Sequence, residues 1–192
     1  EFTGIGADGL STYTDLNGDG QIDDSDRISA GSAVPDILYA FYLKFKYKNF
    51  DLGLNFNGVS GNEIYNHTRM SLFNKTQLSN SLNTTDQAIE FANEDPSNTN
   101  TVSTRFLENG AFLRLNNATL AYSLNPQVIG MDKWLDNVRL SVTGQNLFII
   151  TDYTGFDPEL NTGSSTDSKS YGIDYYTYPK ARTVVFGLNV SF

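Results

Sequence analysis

The stretch that decides the fold reads DILYAFYLKFKYK over residues 36–48, then Asn49, then FDLGLNFNGV over residues 50–59. In the first arm Ile37, Tyr39, Phe41, Leu43, Phe45 and Tyr47 occupy every odd position, and Ala40, Lys44, Lys46 and Lys48 lie between them. In the second arm Phe50, Leu52, Leu54 and Phe56 alternate with Asp51, Gly53, Asn55 and Asn57. Successive side chains of a strand point to opposite faces, so this period of two predicts two strands with one apolar and one polar face. Their separation by Lys48-Asn49 predicts a tight β-hairpin.

The same pattern extends outward. Val184, Phe186, Leu188, Val190 and Phe192 form one face of a further strand. Phe112–Leu124 carries Ala118, Leu120, Tyr122 and Leu124 on one face, with its phase broken near Asn116-Asn117, where a bulge is expected. Asn137–Ile150 sets Val138, Leu140 and Val142 against Arg139, Ser141 and Thr143. Short helices are expected near Glu63–Phe73 and Thr85–Asn93.

The connections alternate between short or moderate (Lys48-Asn49, Asn125–Asp136) and long (Ser60–Leu107, Thr151–Ala181). Apolar-outside strands with short turns at one end and long loops at the other are the signature of an outer-membrane β-barrel. Lipid satisfies no open backbone group, so such strands must close on themselves. Tyr47, Phe50, Tyr122 and Phe192 would make an aromatic girdle at the short-turn end, with Tyr39 near the opposite rim. Lys44, Lys46, Asn55, Asn57, Arg139 and Gln145 would line a polar lumen. Five strands are too few to close, since about eight is the practical minimum. The fold class is therefore all-β, an antiparallel transmembrane β-barrel segment within a larger barrel. The expected division is an extracellular loop over residues 1–35 and barrel strands with their loops over 36–192. The alternative is a soluble calcium-binding β-sandwich, a carbohydrate-binding module whose alternating face packs on a second sheet.

Composition narrows the function. The 192 residues hold 22 Asp and Glu against 13 Lys and Arg, a formal charge of -9. That balance argues against nucleic acid, which needs a basic footprint. With no cysteine and one histidine, disulfides, thiolate chemistry and multi-histidine metal sites are excluded. The chain opens on Glu1 with no visible signal peptide and reads as a processed product or a fragment. His67 lies in a polar loop without a nucleophile motif and reads as a surface residue. Asp157 and Glu159 around Pro158 read as a turn with solvated acids rather than a glycosidase pair. No enzyme is expected.

Two loops carry recognisable chemistry. Asp15-Leu16-Asn17-Gly18-Asp19-Gly20-Gln21-Ile22-Asp23-Asp24-Ser25-Asp26 has oxygen ligands at positions one, three, five and twelve of a calcium loop, with glycine at six. Asp15, Asn17 and Asp19 would give side-chain oxygens, Gln21 its carbonyl, Asp26 the closing carboxylate, and Asp23 a contact through water. Position twelve is aspartate, as in dockerins, and the flanks do not read as helices. A calcium ion that stiffens the loop is expected; an Asx-rich turn without metal is the alternative. The second loop gathers Tyr153, Phe156, Tyr171, Tyr175 and Tyr176. Aromatic faces beside Asn, Asp and Thr suit a carbohydrate substrate, and loop packing explains them equally well.

The order of these pieces resembles the C-terminal end of the SusC/RagA family of TonB-dependent outer-membrane transporters. The resemblance rests on Asp15–Gly20, Ala33-Val34-Pro35, Tyr47–Leu52, Arg105–Leu115, Gly144–Phe148, Asp152–Glu159, Tyr178-Pro179 and the closing Phe186–Phe192, and it runs along nearly the whole chain. It implies import of oligosaccharides or peptides with a SusD-type surface lipoprotein, powered through TonB. It also implies a barrel of about 22 strands, to which this chain gives the last five. The plug, the TonB-contacting segment and the remaining barrel would come from elsewhere in the protein.

Overall fold

The computed structural model describes residues 1–73, 75, 91, 93–98, 101–160 and 171–192. Its elements are β1 (Phe2–Ile5), β2 (Ser11–Tyr13), β3 (Ile37–Tyr47), β4 (Phe50–Ser60), β5 (Glu63–Asn66), α1 (His67–Leu72), β6 (Leu107–Asn109), β7 (Phe112–Leu124), β8 (Asn137–Thr151), β9 (Ile173–Asp174) and β10 (Thr183–Ser191). Contacts gather residues 35–60, 111–152 and 179–192 into one unit, and residues 1–34, 61–110 and 153–178 into another.

The first unit is a single antiparallel sheet in the order β10-β8-β7-β4-β3. These are the five strands read from the period of two. Each sequential pair is a spatial neighbour, so the sheet is a meander. The β3–β4 and β7–β8 connections leave one end, and both long connections leave the other.

Direct cross-strand partners share a face, so the register assembles the apolar residues into rows. Tyr47, Phe50, Tyr122, Leu140 and Leu188 form one row, and Phe45, Leu52, Leu120, Val142 and Phe186 form the next. Both rows cross all five strands. The Phe50 and Tyr122 rings lie 4.7 Å apart, which puts part of the expected aromatic girdle at the short-turn end.

The break of phase in β7 has a structural reason. Asn55 of β4 faces Asn117 while Phe56 faces Leu115, so Asn116 is the extra residue of a bulge. Without it, Leu113 and Leu115 would fall on the opposite face from Ala118 and Leu120. With it, Phe41, Phe56, Leu115 and Phe148 make a further apolar row across β3, β4, β7 and β8. β8 answers with a larger offset, two residues (Asn146 and Leu147) standing across from Asn116. Asn146 takes φ 52° there, and its amide donates to the Ala181 carbonyl at 2.9 Å.

Gly58 marks a close approach. The Tyr39 ring lies across it, and the Tyr39 hydroxyl donates to the Phe112 carbonyl at 2.7 Å. A side chain at 58 would meet that ring and that carbonyl oxygen.

A soluble sandwich requires a second sheet over the apolar face. This unit contains one sheet only, and Phe45, Leu188 and Phe186 of that face are 55%, 67% and 82% exposed. Within this unit the sandwich alternative therefore has no second sheet with which to close its core.

The second unit holds the β1–β2 hairpin and a three-stranded sheet in the order β6-β5-β9, with β5 and β9 parallel. Residues 1–34 group here with the two long connections rather than alone. The helix expected over Glu63–Phe73 is shorter, because Glu63–Asn66 pairs as strand β5 and α1 starts only at His67. Asn66 explains the switch: its side chain accepts the Arg69 amide at 2.7 Å and caps the helix. The helix expected over Thr85–Asn93 lies almost entirely outside the described residues. Ile64, Phe73 and Phe106 are each 1% exposed and form the centre of this core. Beside them Arg105 pairs with Glu94 through two bonds of 2.8 and 3.0 Å, both side chains being 4% exposed. Four phenylalanine rings (Phe2, Phe73, Phe91, Phe106) surround the Arg105 guanidinium, 4.5–5.5 Å from its central carbon.

Candidate functional site

The acidic loop is curled by its own side chains. The Asp15 carboxylate accepts the Gly18 and Gly20 amides at 2.7 and 2.8 Å. Asn17 and Asp19 each accept the amide two residues on. Gly20 sits at φ 81°, a left-handed conformation that a Cβ would strain, so glycine at loop position six has a local cause. Asp23 caps a one-turn 3-10 helix over Asp24–Asp26 and closes a capping box with Asp26. The Asp26 carboxylate accepts the Asp23 amide and the Leu16 amide, each at 2.8 Å, tying the two ends of the loop together. These amides hold its carboxyl below the usual carboxylate range.

Asp15, Asn17, Asp19, Gln21 and Asp26 thus occupy one compact loop. Each carboxylate is turned to a backbone amide, and among the described residues no three His, Asp or Glu side chains converge at metal-binding spacing. A cavity of about 740 Å³ adjoins this loop, lined by Tyr13, Ile22, Asp23, Asp26, Arg27 and Tyr65 among others.

The aromatic loop divides. Tyr153 is 5% exposed and its hydroxyl donates to Asp174 Oδ2 at 2.6 Å, so it belongs to the core rather than to a surface. Burial, then this hydrogen bond to Asp174, pushes its phenol above the ordinary tyrosine value. Phe156 and Tyr171 are each 70% exposed, Tyr175 is 65% and Tyr176 56%. Tyr175 and Tyr176 come together with His67, a residue that reads from sequence as ordinary surface. The His67 and Tyr175 rings stack at 4.5 Å and 28°. Tyr176 stands edge-on to both, at 82° to His67 and 80° to Tyr175.

Asp174 holds this corner. It is 1% exposed, and its Oδ1 accepts the Thr177 amide at 3.0 Å and faces the Thr68 hydroxyl at 3.1 Å. Thr68 Oγ1 in turn accepts the Tyr176 amide at 2.7 Å. Nothing in the sequence marked Asp174, because its partners lie at positions 68, 153 and 177. Asp157 accepts the Glu159 amide at 2.9 Å, as an Asx turn does.

On the polar face of the five-stranded sheet, the register lines up Tyr42, Asn55, Asn117 and Gln145 in one row and Asn57 with Arg114 in another. Lys44 and Lys46 share that face, Lys46 directly opposite Asp51. Arg139 bonds the Asp51 carboxylate at 3.1 Å.

No family model matches the chain. The TonB-dependent receptor P3 of Formosa agariphila is 35% identical over 96% of this chain and 19% of its own length. The TonB-dependent receptor SusC of Bacteroides thetaiotaomicron is 31% identical over 94% of this chain and 17% of its own. The chain is homologous to part of a SusC-type TonB-dependent receptor. It spans about a fifth of the length of these SusC-type relatives. In a solved structure of the RagAB peptide transporter, one chain superposes with a TM-score of 0.78 at 25% identity, over 100% of this chain and 22% of that one. The closed-closed state of the RagAB peptide importer gives 0.76. The five-stranded sheet is a piece of antiparallel barrel wall of this SusC/RagA type.

Proposed function

We propose that this chain serves in a TonB-dependent importer of the bacterial outer membrane, which takes up oligosaccharides or peptides together with a SusD-type surface lipoprotein. The observation that carries the reading is the uncovered apolar face: complete rows of Phe, Leu, Val and Tyr cross five strands of a wall that matches a RagAB chain. Such a surface is stable in lipid and a liability in water. In this arrangement the apolar rows contact the bilayer. Lys44, Lys46, Asn55, Asn57, Arg139 and Gln145 face the lumen. The short connections lie in the periplasm, and the acidic and aromatic loops lie outside the cell. TonB, the plug and the rest of the barrel are met through other parts of the longer protein.

The test is the size and location of the native polypeptide, probed in outer-membrane fractions with an antibody to the Phe192 end. A band far above 21.3 kDa that shifts on boiling is expected. A soluble band without a shift would refute membrane import.

The spacing of the Asp15–Asp26 loop supports calcium as a structural ion there. Its donors are all oxygens, which suits a hard cation, and Asp15, Asn17, Asp19, Asp26 and the Gln21 carbonyl would hold it. Binding requires the carboxylates to turn partly from their amides. Calcium should therefore protect the loop from proteolysis, and Asp15→Ala should abolish that protection. Equal cleavage rates with calcium and with a chelator would exclude the ion.

A further inference from the structure

The apolar face of the five-stranded wall is not evenly filled. Phe50 of β4 and Tyr122 of β7 stand together, their rings 4.7 Å apart, and Phe186 stands on β10. Between them the register places the shorter Leu120, Leu140 and Val142 of β7 and β8. The result is an open groove of about 460 Å³, within the size range of small-ligand sites. Ala121, Ser141 and Gly187 border it as well. Their register puts them on the polar face, so they give the groove backbone and no bulk. β7 and β8 are each paired on both sides within this chain. A barrel wall is one sheet thick and grows at its edges. Further strands therefore extend it past β3 and β10 and do not roof the groove.

The groove lies toward the short-turn end. Phe50 is four residues from Leu54, near the centre of β4. At about 3.3 Å per residue and a tilt of about 40°, its ring row sits roughly 10 Å from the midplane, just inside the apolar band. Lys48 marks the same end. Its ammonium lies 5.4 Å from the centroid of the Tyr47 ring, and Tyr47 is the direct partner of Phe50. The charge is thus turned onto the rim of the apolar face. An apolar trough that ends beside a cation complements a lipid with its phosphate at the interface and its tails below.

We propose that this groove is a binding site for a phospholipid of the periplasmic leaflet, with one acyl chain between the rings and the phosphate at Lys48. The inference rests on the importer reading, which puts the short-turn end in the periplasm. That orientation selects among lipids, because phospholipids fill the periplasmic leaflet of an outer membrane and lipid A the other. Hydrophobicity does not set this lipid apart from its neighbours, since all are already in hydrocarbon. Close packing against fixed rings and one ion pair do.

The experiment uses the full-length transporter with its lipoprotein partner in maltoside micelles, which carry no phosphate. Three probes bear a photoactivatable diazirine in an acyl chain: phosphatidylglycerol, diacylglycerol and lipid A. Crosslinked peptides are mapped as the probe fraction rises. Phosphatidylglycerol should label residues 120–122, 140–142 and 186–188 saturably, while Phe45 and Leu52 at the other end of the same row are labelled in proportion to the probe. Asparagine accepts the φ of 52° found at Lys48, so Lys48→Asn removes the charge and keeps the turn. It should raise the half-saturating fraction of phosphatidylglycerol about fivefold, the order for one interfacial cation. Labelling by diacylglycerol, which has no phosphate, should not change. Val142→Phe fills the groove with another apolar side chain and should remove the saturable labelling while the shift on boiling persists.

Proportional labelling of the groove and of Phe45 and Leu52 alike would overturn the site. So would saturable labelling by lipid A alone, or saturable labelling that neither variant changes. Labelling that appears only once copies of the transporter are dissociated would overturn it too, as the sign of a protein occupant. Each of these results, obtained on a wild-type band that still shifts on boiling in outer membranes, leaves the importer reading intact. Loss of that shift in the wild-type protein would instead refute that reading.

Discussion

Leu54→Arg tests the lipid-facing assignment most directly. Leu54 is the fifth of the eleven residues of β4 and lies in the apolar row with Leu43 and Ala118. At about 3.3 Å per residue β4 is roughly 36 Å long. A tilt of about 40° reduces its height to roughly 28 Å, close to the ~25 Å apolar band of outer-membrane barrels. Leu54 therefore falls near the midplane, where arginine on the lipid face costs about 2–4 kcal/mol. At about 1.36 kcal/mol per factor of ten, the folded-to-unfolded ratio should fall between roughly 30-fold and roughly 900-fold. The control is its neighbour Asn55→Arg, on the opposite face beside Tyr42 and Asn117, which should cost far less. The assay is the fraction of full-length protein that shifts on boiling in outer membranes, followed through a urea series. Equal losses from the two variants, or no loss from Leu54→Arg, would refute the assignment of faces.

The remaining predictions concern particular contacts. Gly58→Val should destabilise the sheet by about 1–3 kcal/mol, because its side chain meets the Phe112 carbonyl and the Tyr39 ring; an unchanged denaturation midpoint would show that Tyr39 moves freely. Arg105→Met removes the two short bonds to the buried Glu94 carboxylate, leaving it the Asn98 amide at 2.7 Å and the Lys75 ammonium at 4.0 Å, and should open the second unit by about 3 kcal/mol in hydrogen exchange, with much of the loss recovered in the double variant Arg105→Met/Glu94→Met. The depressed Asp26 carboxyl stabilises the folded loop at pH values above its unfolded pKa of about 3.9. That contribution is lost as pH falls through the lower folded value. Proteolysis of the loop should therefore rise on acidification in the wild type and be less pH-dependent in Asp26→Asn; identical profiles would contradict this.

Local alternation in the sequence determined the five sheet strands, and each lies within a residue or two of the expected bounds. The phase break at Asn116-Asn117 was legible for the same reason, since a one-residue insertion inverts every later side chain. The apolar side of each strand was equally legible, because a pleated chain has only two faces. The register between strands was not. It took the pairing itself to show that Leu115 and Ala118 share a face and that the rows run unbroken across the sheet.

The second unit was much less legible. Glu63–Asn66 read as helix because four residues are too few to show a decisive period, and its strand state depends on partners at positions 107–109 and 173–174. Tyr153 belonged by composition to the surface aromatics, but a single bond to Asp174 assigns it to the core. His67 looked ordinary until Tyr175 lay against it. Sequence alone thus determined which residues form strands and which faces are apolar, because those properties repeat every second residue. Only the tertiary structure decided which loop residues meet, because contacts between positions a hundred residues apart leave no periodic trace in the chain.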